Sequence, residues 1–416
     1  MTVSINRSKK FDISVILTFI VIYVSNDTLL FGTNANRNFF WVHVALLLMT
    51  FVYLAIKTKE LSKQLIFFTL VLAVMMVLTQ AVNRDTEYIK YIYNIFVLAL
   101  CLLFSNYFER NRFFNAFVGT LYYIALFAII FFVLWNVASP MLRRLPGIVN
   151  ESGMRFYFYG LGFLGNVRAG TIQRMYGIFR EPGVFACYLA LAMIIQLFFI
   201  DRLNIKRVLV LAIAAVLTFS TAAYIVVAVV LIGYFLKQAF QKREKRHEKV
   251  WTLLAVLLVV LSAIVIWIGP ERIMNLVFNK LKATNSSRDS RFGSIEANLR
   301  MFLQNPILGK GWNYVELNFS RYAGASIYQG NHNTNTFLKI LALYGIVPFS
   351  CIFYGVYRFF RRESKAVFWG LFLTAMWMVA LSNEDFSVNI LFYLLPMYGI
   401  KKDEIRERAC GENTGD

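Results

Sequence analysis

The chain alternates long apolar runs with short polar connections. The runs fall at 11–31, 39–56, 64–82, 89–108, 113–138, 183–200, 208–219, 221–236, 250–268, 334–360, 366–381 and 389–400. A helix crossing about 30 Å of hydrocarbon needs about 20 apolar residues. The pattern therefore predicts an all-α polytopic membrane protein with about twelve transmembrane helices. The stretch 208–236 is too long for one straight span, so Ser220-Thr221 is read as a hairpin tip. The run 334–360 is also long, and Gly345 is the expected break. With no long Pro, Gly or Ser linker and no internal repeat, residues 1–416 are expected to form a single integral membrane domain.

Two long polar segments, 139–182 and 269–333, interrupt this rhythm. In the second, Phe292, Ile295, Leu299, Phe302 and Leu303 recur at helical spacing. They predict an amphipathic helix lying on the outer leaflet and ending at Asn305-Pro306, with Arg291 at its start and off the apolar stripe. Composition agrees with a membrane setting: 58% of residues are hydrophobic, 17% aromatic and only 16% charged.

The net charge of +20 would suggest nucleic acid in a soluble protein. Here the charges sit between spans, so topology explains them first and no nucleic-acid partner is expected. Positive residues concentrate on the cytoplasmic side. Of the 43 Lys and Arg, 25 lie in alternate short loops and the two tails, which makes both termini, including the tail 401–416, cytoplasmic. The first apolar run follows Arg7, Lys9 and Lys10 and lacks a small-x-small cleavage site, so it is expected to be retained as a span. The two long segments then become extracytoplasmic loops.

Those two segments, with their extension to Lys339, hold 15 of the other 18 basic residues, and Arg37, Arg84 and Lys90 lie in short outer loops. Outside, Arg outnumbers Lys thirteen to five; inside, the two are nearly equal. Arginine's planar fork grips phosphate oxygens in bidentate fashion, while lysine acts as a point charge. An Arg-biased outer surface suggests an anionic ligand, with lipid-linked phosphate the obvious candidate and anionic membrane lipids the plainer one.

The first loop ends Arg174-Met-Tyr-Gly-Ile-Phe-Arg180-Glu181-Pro182-Gly183, and a span begins at once. Proline suits a first helical turn, and the start of a helix offers N–H groups to an anion. Arg174 and Arg180 could both reach such a site. Glu181 either pairs with Arg180 or favours the helix N-terminus, or serves as a base. The second loop supplies Arg288 and Arg291. It closes with Asn331-His332-Asn333-Thr334-Asn335-Thr336 before an apolar helix. A helix start disfavours the imidazolium, which keeps His332 neutral and able to take a proton from a sugar hydroxyl. His43 lies inside a span and reads as a packed core residue; His247 sits in a solvated basic run. Cys101, Cys187 and Cys351 fall inside apolar runs and Cys410 in the tail, with no pair placed for a disulfide. HExxH, DxD and Walker patterns are missing, so neither a metal nor a cofactor is expected.

Together these pieces resemble the O-antigen polymerase and O-antigen ligase superfamily of bacterial inner-membrane glycosyltransferases. The resemblance rests on Arg174-x-x-Gly177 with Glu181-Pro182-Gly183, Leu217-Thr-Phe-Ser220, and Ser290-Arg291 ahead of Pro306, Gly309 and Gly311. It ends with His332-Asn333 leading to Leu338 and Gly345. It covers roughly 174–360; the N-terminal third matches only in hydropathy. It implies a GT-C-like, metal-independent transferase acting on the outer face of the cytoplasmic membrane. Its substrate would be an undecaprenyl-diphosphate-linked oligosaccharide, and a chain-length regulator protein is a candidate partner. By motif, Arg174, Arg180, Arg288 and Arg291 would bind the diphosphate, and His332 would activate the acceptor hydroxyl. Ligases of this kind usually carry an Arg just after the Thr-x-Ser, where this chain has Thr221-Ala222. The Arg-Glu-Pro-Gly form also looks more like repeat-unit polymerases, so polymerase is favoured over ligase. A lipid-linked oligosaccharide flippase is the alternative of a different class. It would be expected to place charges at mid-membrane and to keep its loops short.

Overall fold

The computed structural model describes residues 13–32, 39–149, 153–165, 173–200, 203–240, 286–323, 333–364, 366–382 and 384–401. Among them are fourteen helices: α1 (Ile13–Tyr23), α2 (Phe40–Lys57), α3 (Lys63–Asn83), α4 (Tyr88–Tyr107), α5 (Arg110–Leu142), α6 (Pro182–Phe198), α7 (Ile205–Leu217) and α8 (Thr221–Phe240), then α9 (Ser286–Gln304), α10 (Gly311–Ala323), α11 (Thr336–Tyr344), α12 (Ile346–Ser364), α13 (Val367–Leu381) and α14 (Ile390–Ile400). Two of them lie at the centre. Almost every residue of α6 and α14 is buried, as expected for helices that are apolar all round. Helices α5, α7 and α8 pack against α6, while α4 and α12 pack against α14.

The peripheral helices show the opposite pattern. On α2, α3 and α4 the side chains of Trp41, Ile56, Phe67 and Ile89 stand exposed, an outer belt suited to hydrocarbon. By length and composition α2, α3, α4 and α5 can cross a membrane. Helices α1, α6, α13 and α14 are apolar but shorter. Each expected span within the described residues contains a helix. The expected span 250–268 and the tail beyond Lys401, expected to be cytoplasmic, lie outside the described residues.

Some boundaries differ from the sequence expectation for identifiable reasons. Helix α1 stops at Tyr23, because Ser25, Asn26, Asp27 and Thr28 carry the chain into a polar turn. The hairpin tip near Ser220 is real: α7 ends at Leu217, and Phe219 takes a left-handed backbone (φ 50°) before α8 begins. The long run 334–360 breaks into α11 and α12 at Gly345 (φ 79°). There Ile346 N–H donates to Pro306 O, and a Cβ at 345 would overlap the Ile307 carbonyl.

The all-α expectation needs one correction. The first loop holds a three-stranded antiparallel sheet, β1 (Gly147–Val149), β2 (Arg155–Phe158) and β3 (Phe163–Gly165), in that order. Ile148 faces Phe156, and Tyr157 faces Leu164. Alternation along β2 splits its aromatics between two clusters. Tyr157 packs with Trp135 and Leu142 of α5, and Phe156 packs with Leu29 and Phe163. The sheet therefore pins the first loop to the end of α5 on one face and to the α1–α2 connection on the other.

Candidate active site

Four segments distant in sequence meet where α6 begins. The residues before α6 run alongside the α1–α2 connection: Leu29 N–H donates to Ile178 O and Arg180 N–H to Asp27 O, both at 2.9 Å. Pro182 opens α6 with Glu181 as its N-cap, the position the sequence assigned to it. The connection between α13 and α14 then lays Glu384 across the helix start, since a Cβ at Gly183 would overlap Glu384 Oε1. The spot that sequence reasoning offered to a phosphate is thus occupied by the protein's own carboxyl group.

Arg180 is held by these neighbours. Its guanidinium donates to Asp385 O at 3.3 Å and stands 3.9 Å from the exposed Glu181 carboxylate. Burial works against its charge, but the carboxyls of Asp27, Glu384, Glu181 and Asp385 outweigh burial and raise its pKa further.

Arg174 sits differently. Its Nε donates to Thr218 O at 3.1 Å and a terminal nitrogen to Phe219 O at 3.5 Å. These are orphan carbonyls at the C-terminal end of α7, a natural seat for a cation. Arg291, in the first turns of α9, is half-buried and faces the same space. Burial and the nearby charge of Arg174 both lower its pKa, with Glu384 opposing them. Arginine does not lose its proton in proteins, so this is a cation held in a setting short of negative charge.

Glu384 thus lies within charge–charge range of Arg180, Glu181 and Arg291, and Arg291 within range of Arg174. Arg288 lies in the first turn of α9, and its side chain lies outside the described residues. His332 does too. Its chain neighbour Asn333 is described and is firmly fixed. Asn333 and Asn298 of α9 exchange a reciprocal pair of amide hydrogen bonds, 2.8 and 2.9 Å long. Thr334 N–H donates to Ser294 Oγ at 3.2 Å. Ser294 and Asn298 follow Arg291 at i+3 and i+7, so all three share one helix face. Next, Asn335 caps α11 by accepting from Leu338 N–H at 3.0 Å. Thr336 Oγ donates to Glu384 O at 2.6 Å and accepts from Phe386 N–H at 2.9 Å. The segment that follows His332 is therefore stitched to the Arg291 helix and to the Glu384 loop.

Sequence reasoning missed the acidic partners. Asp27 accepts hydrogen bonds from Tyr188 Oη at 3.2 Å and from Asn389 Nδ2. Burial raises its pKa to about 7, against the pull of Arg180 and the Tyr188 hydrogen bond. Burial also drives the Glu384 pKa far up, reinforced by Glu181 and Asp27 and opposed by Arg180 and Arg291. Asp385 goes the other way. Burial would raise its pKa, but the Lys339 ammonium at 2.6 Å and the donors of Ser387 hold it below the usual range. A signal did exist: Glu384-Asp385 is an acidic pair in the connection between α13 and α14 of a chain with only 23 acidic residues.

The arrangement has an excess of fixed positive charge around a carboxylic acid that tends to stay protonated. Such a site can hold an anion and exchange a proton with it. Among the described residues no three His, Cys, Asp or Glu side chains form a metal-binding group.

Comparison with known proteins adds one match. Residues 207–353 fit the family described as O-antigen ligase. That stretch runs from α7 into α12 and includes Arg288, Arg291 and His332, while Arg174, Arg180, Glu181 and Glu384 lie outside it. No curated protein matches the chain.

Proposed function

We propose that this chain, whose residues 207–353 match the family described as O-antigen ligase, polymerises lipid-linked oligosaccharide repeat units. The donor is an oligosaccharide on undecaprenyl diphosphate, and the reaction runs on the outer face of the bacterial cytoplasmic membrane. In this reading the chain is a single GT-C-like membrane domain of about twelve spans with both termini in the cytoplasm. A chain-length regulator is a natural partner.

Arg174, Arg180, Arg288 and Arg291 take the diphosphate, and His332 accepts the proton of the attacking hydroxyl. Catalysis here is positioning plus electrostatics. Preorganised donors aimed at a leaving group that gathers charge are each worth about 3–4 kcal/mol. A base at His332 adds about 10²–10⁴ in rate. Glu181 stands exposed beside Arg180, which suits a group that tunes that arginine better than one buried against substrate.

One observation supports this reading above the others: Arg291 is half-buried beside the like charge of Arg174, with a carboxyl nearby that resists ionisation. A diphosphate would relieve that excess. The flippase alternative has no support in the family match, which is to a ligase.

The family description keeps the ligase reading as the runner-up, and cells separate the two. A strain lacking the protein that still places one repeat on each acceptor identifies a polymerase, and none identifies a ligase. His332→Ala and Arg291→Ala are expected to remain in the membrane and lose long glycan chains. Normal polymer length in both variants would reject the assignment.

A further inference from the structure

The diphosphate reading leaves Glu384 without a task, yet the fold commits much to placing it. Its backbone is tied to Thr336 at the head of α11, and the next residue is locked to Lys339. Its side chain is buried against Gly183, where only a residue without Cβ leaves room for the carboxyl. The titratable and charged groups that interact with it come from four places: Arg180 and Glu181 before α6, Cys187 on α6, Asp27 after α1 and Arg291 on α9. A carboxyl within charge–charge range of two guanidiniums proposed to hold a diphosphate is placed to act on what they hold.

We propose that Glu384 is a catalytic residue, the acid that protonates the departing lipid diphosphate; this inference rests on the transferase reading above. As the bond from the anomeric carbon to the diphosphate oxygen breaks, its electron pair goes to that oxygen. The Glu384 carboxyl gives its proton to the same oxygen and becomes a carboxylate within charge–charge range of Arg180 and Arg291. The acceptor oxygen bonds to the anomeric carbon, and the acceptor's proton passes to His332. When the lipid diphosphate leaves, solvent returns a proton to Glu384 and removes one from His332. Burial and the carboxyls of Glu181 and Asp27 keep the acid protonated beforehand, and the two arginines stabilise the anion afterwards.

The test uses the full chain in lipid nanodiscs, with lipid-linked repeat units extracted from cells lacking the protein. Polymerisation rates are measured from about pH 5 to pH 9 for the wild type, Glu384→Gln, Gly183→Ala, the double variant, Arg291→Ala and His332→Ala. The wild-type rate should fall on the alkaline side as the acid ionises. Glu384→Gln should lower kcat by about 10²–10⁴ with KM little changed, and should abolish the alkaline limb. Gly183→Ala, which displaces the carboxyl, should lower the rate at least about tenfold and add little to Glu384→Gln. A purely structural role would leave the alkaline limb in place.

Glu384→Gln with a near-wild-type rate, or with the alkaline limb retained, overturns the proposal. If that variant does not fold, a fully active Gly183→Ala overturns it instead. An inactive Arg291→Ala beside an active Glu384→Gln removes this inference alone. Activity in both Arg291→Ala and His332→Ala removes the transferase assignment with it.

Discussion

Replacing Lys339 with methionine asks whether charge holds the loop that presents Glu384. The Lys339 side chain is 6% exposed and that of Asp385 29%. The ammonium lies 2.6 Å from Asp385 Oδ2 and 4.6 Å from the centroid of the Trp312 ring. Asp385 Oδ1 accepts from Ser387 N–H and Oγ at 3.0 and 2.6 Å. Without Lys339, Asp385 keeps only those serine donors. Breaking a buried pair costs about 3–5 kcal/mol. Water reaches Asp385, which screens the pair and reduces this to about 2–3 kcal/mol. Loss of the cation–π contact adds about 0.5–1 kcal/mol. Lys339→Met should therefore cost about 3 kcal/mol, and Asp385→Asn, which strands a buried ammonium, a similar amount. The double variant removes both charges and should cost less than the two together by about 2 kcal/mol. The assay is a double-mutant cycle of denaturant unfolding on purified protein in detergent micelles. Additivity within about 0.5 kcal/mol would refute the pairing as the clamp.

Two further outcomes follow from the same geometry. Asp27 carries a pKa raised to about 7 in the fold. The stabilisation from its bound proton is complete below the unfolded value and is lost as pH rises to about 7, at about 1.4 kcal/mol per pH unit within that window. Asp27→Asn should flatten that fall, as read from unfolding midpoints across pH; an unchanged slope would discount Asp27. Asn298→Ala removes the buried amide pair with Asn333 and should cost about 1–3 kcal/mol. It should also reduce polymerisation although no charge is lost, because the segment after His332 loses its anchor on α9; full activity in glycan ladders would contradict that.

The helices were readable because apolar runs of span length leave the backbone few alternatives. Gly345 and Pro182 marked their boundaries by conformational necessity, one through positive φ and the other as a first-turn proline. Helix α9 was legible as amphipathic, and its apolar stripe faces outward. Phe292 and Leu303 are 63% and 70% exposed, while Ser294 and Asn298 are buried against the protein. That inversion is what a helix at a hydrocarbon surface requires.

The short sheet escaped notice because each strand has only three or four residues, too few for alternation to register. The acidic half of the site was illegible for a different reason. Asp27, Glu384 and Asp385 acquire meaning only beside Arg180 and Lys339, and those neighbours are set by tertiary packing. Arg174 was singled out by its spacing, yet its hydrogen bonds to the end of α7 gave no sequence signal.

The central claim is that arginines from two outer segments share one diphosphate. Electron cryomicroscopy of the full chain in nanodiscs containing undecaprenyl diphosphate tests it most directly. The account predicts diphosphate density on the side of the Glu384 carboxyl away from the start of α6, touching Arg291 and at least one of Arg174 and Arg180. Density for the diphosphate elsewhere on the chain, with Arg291 uninvolved, would contradict it.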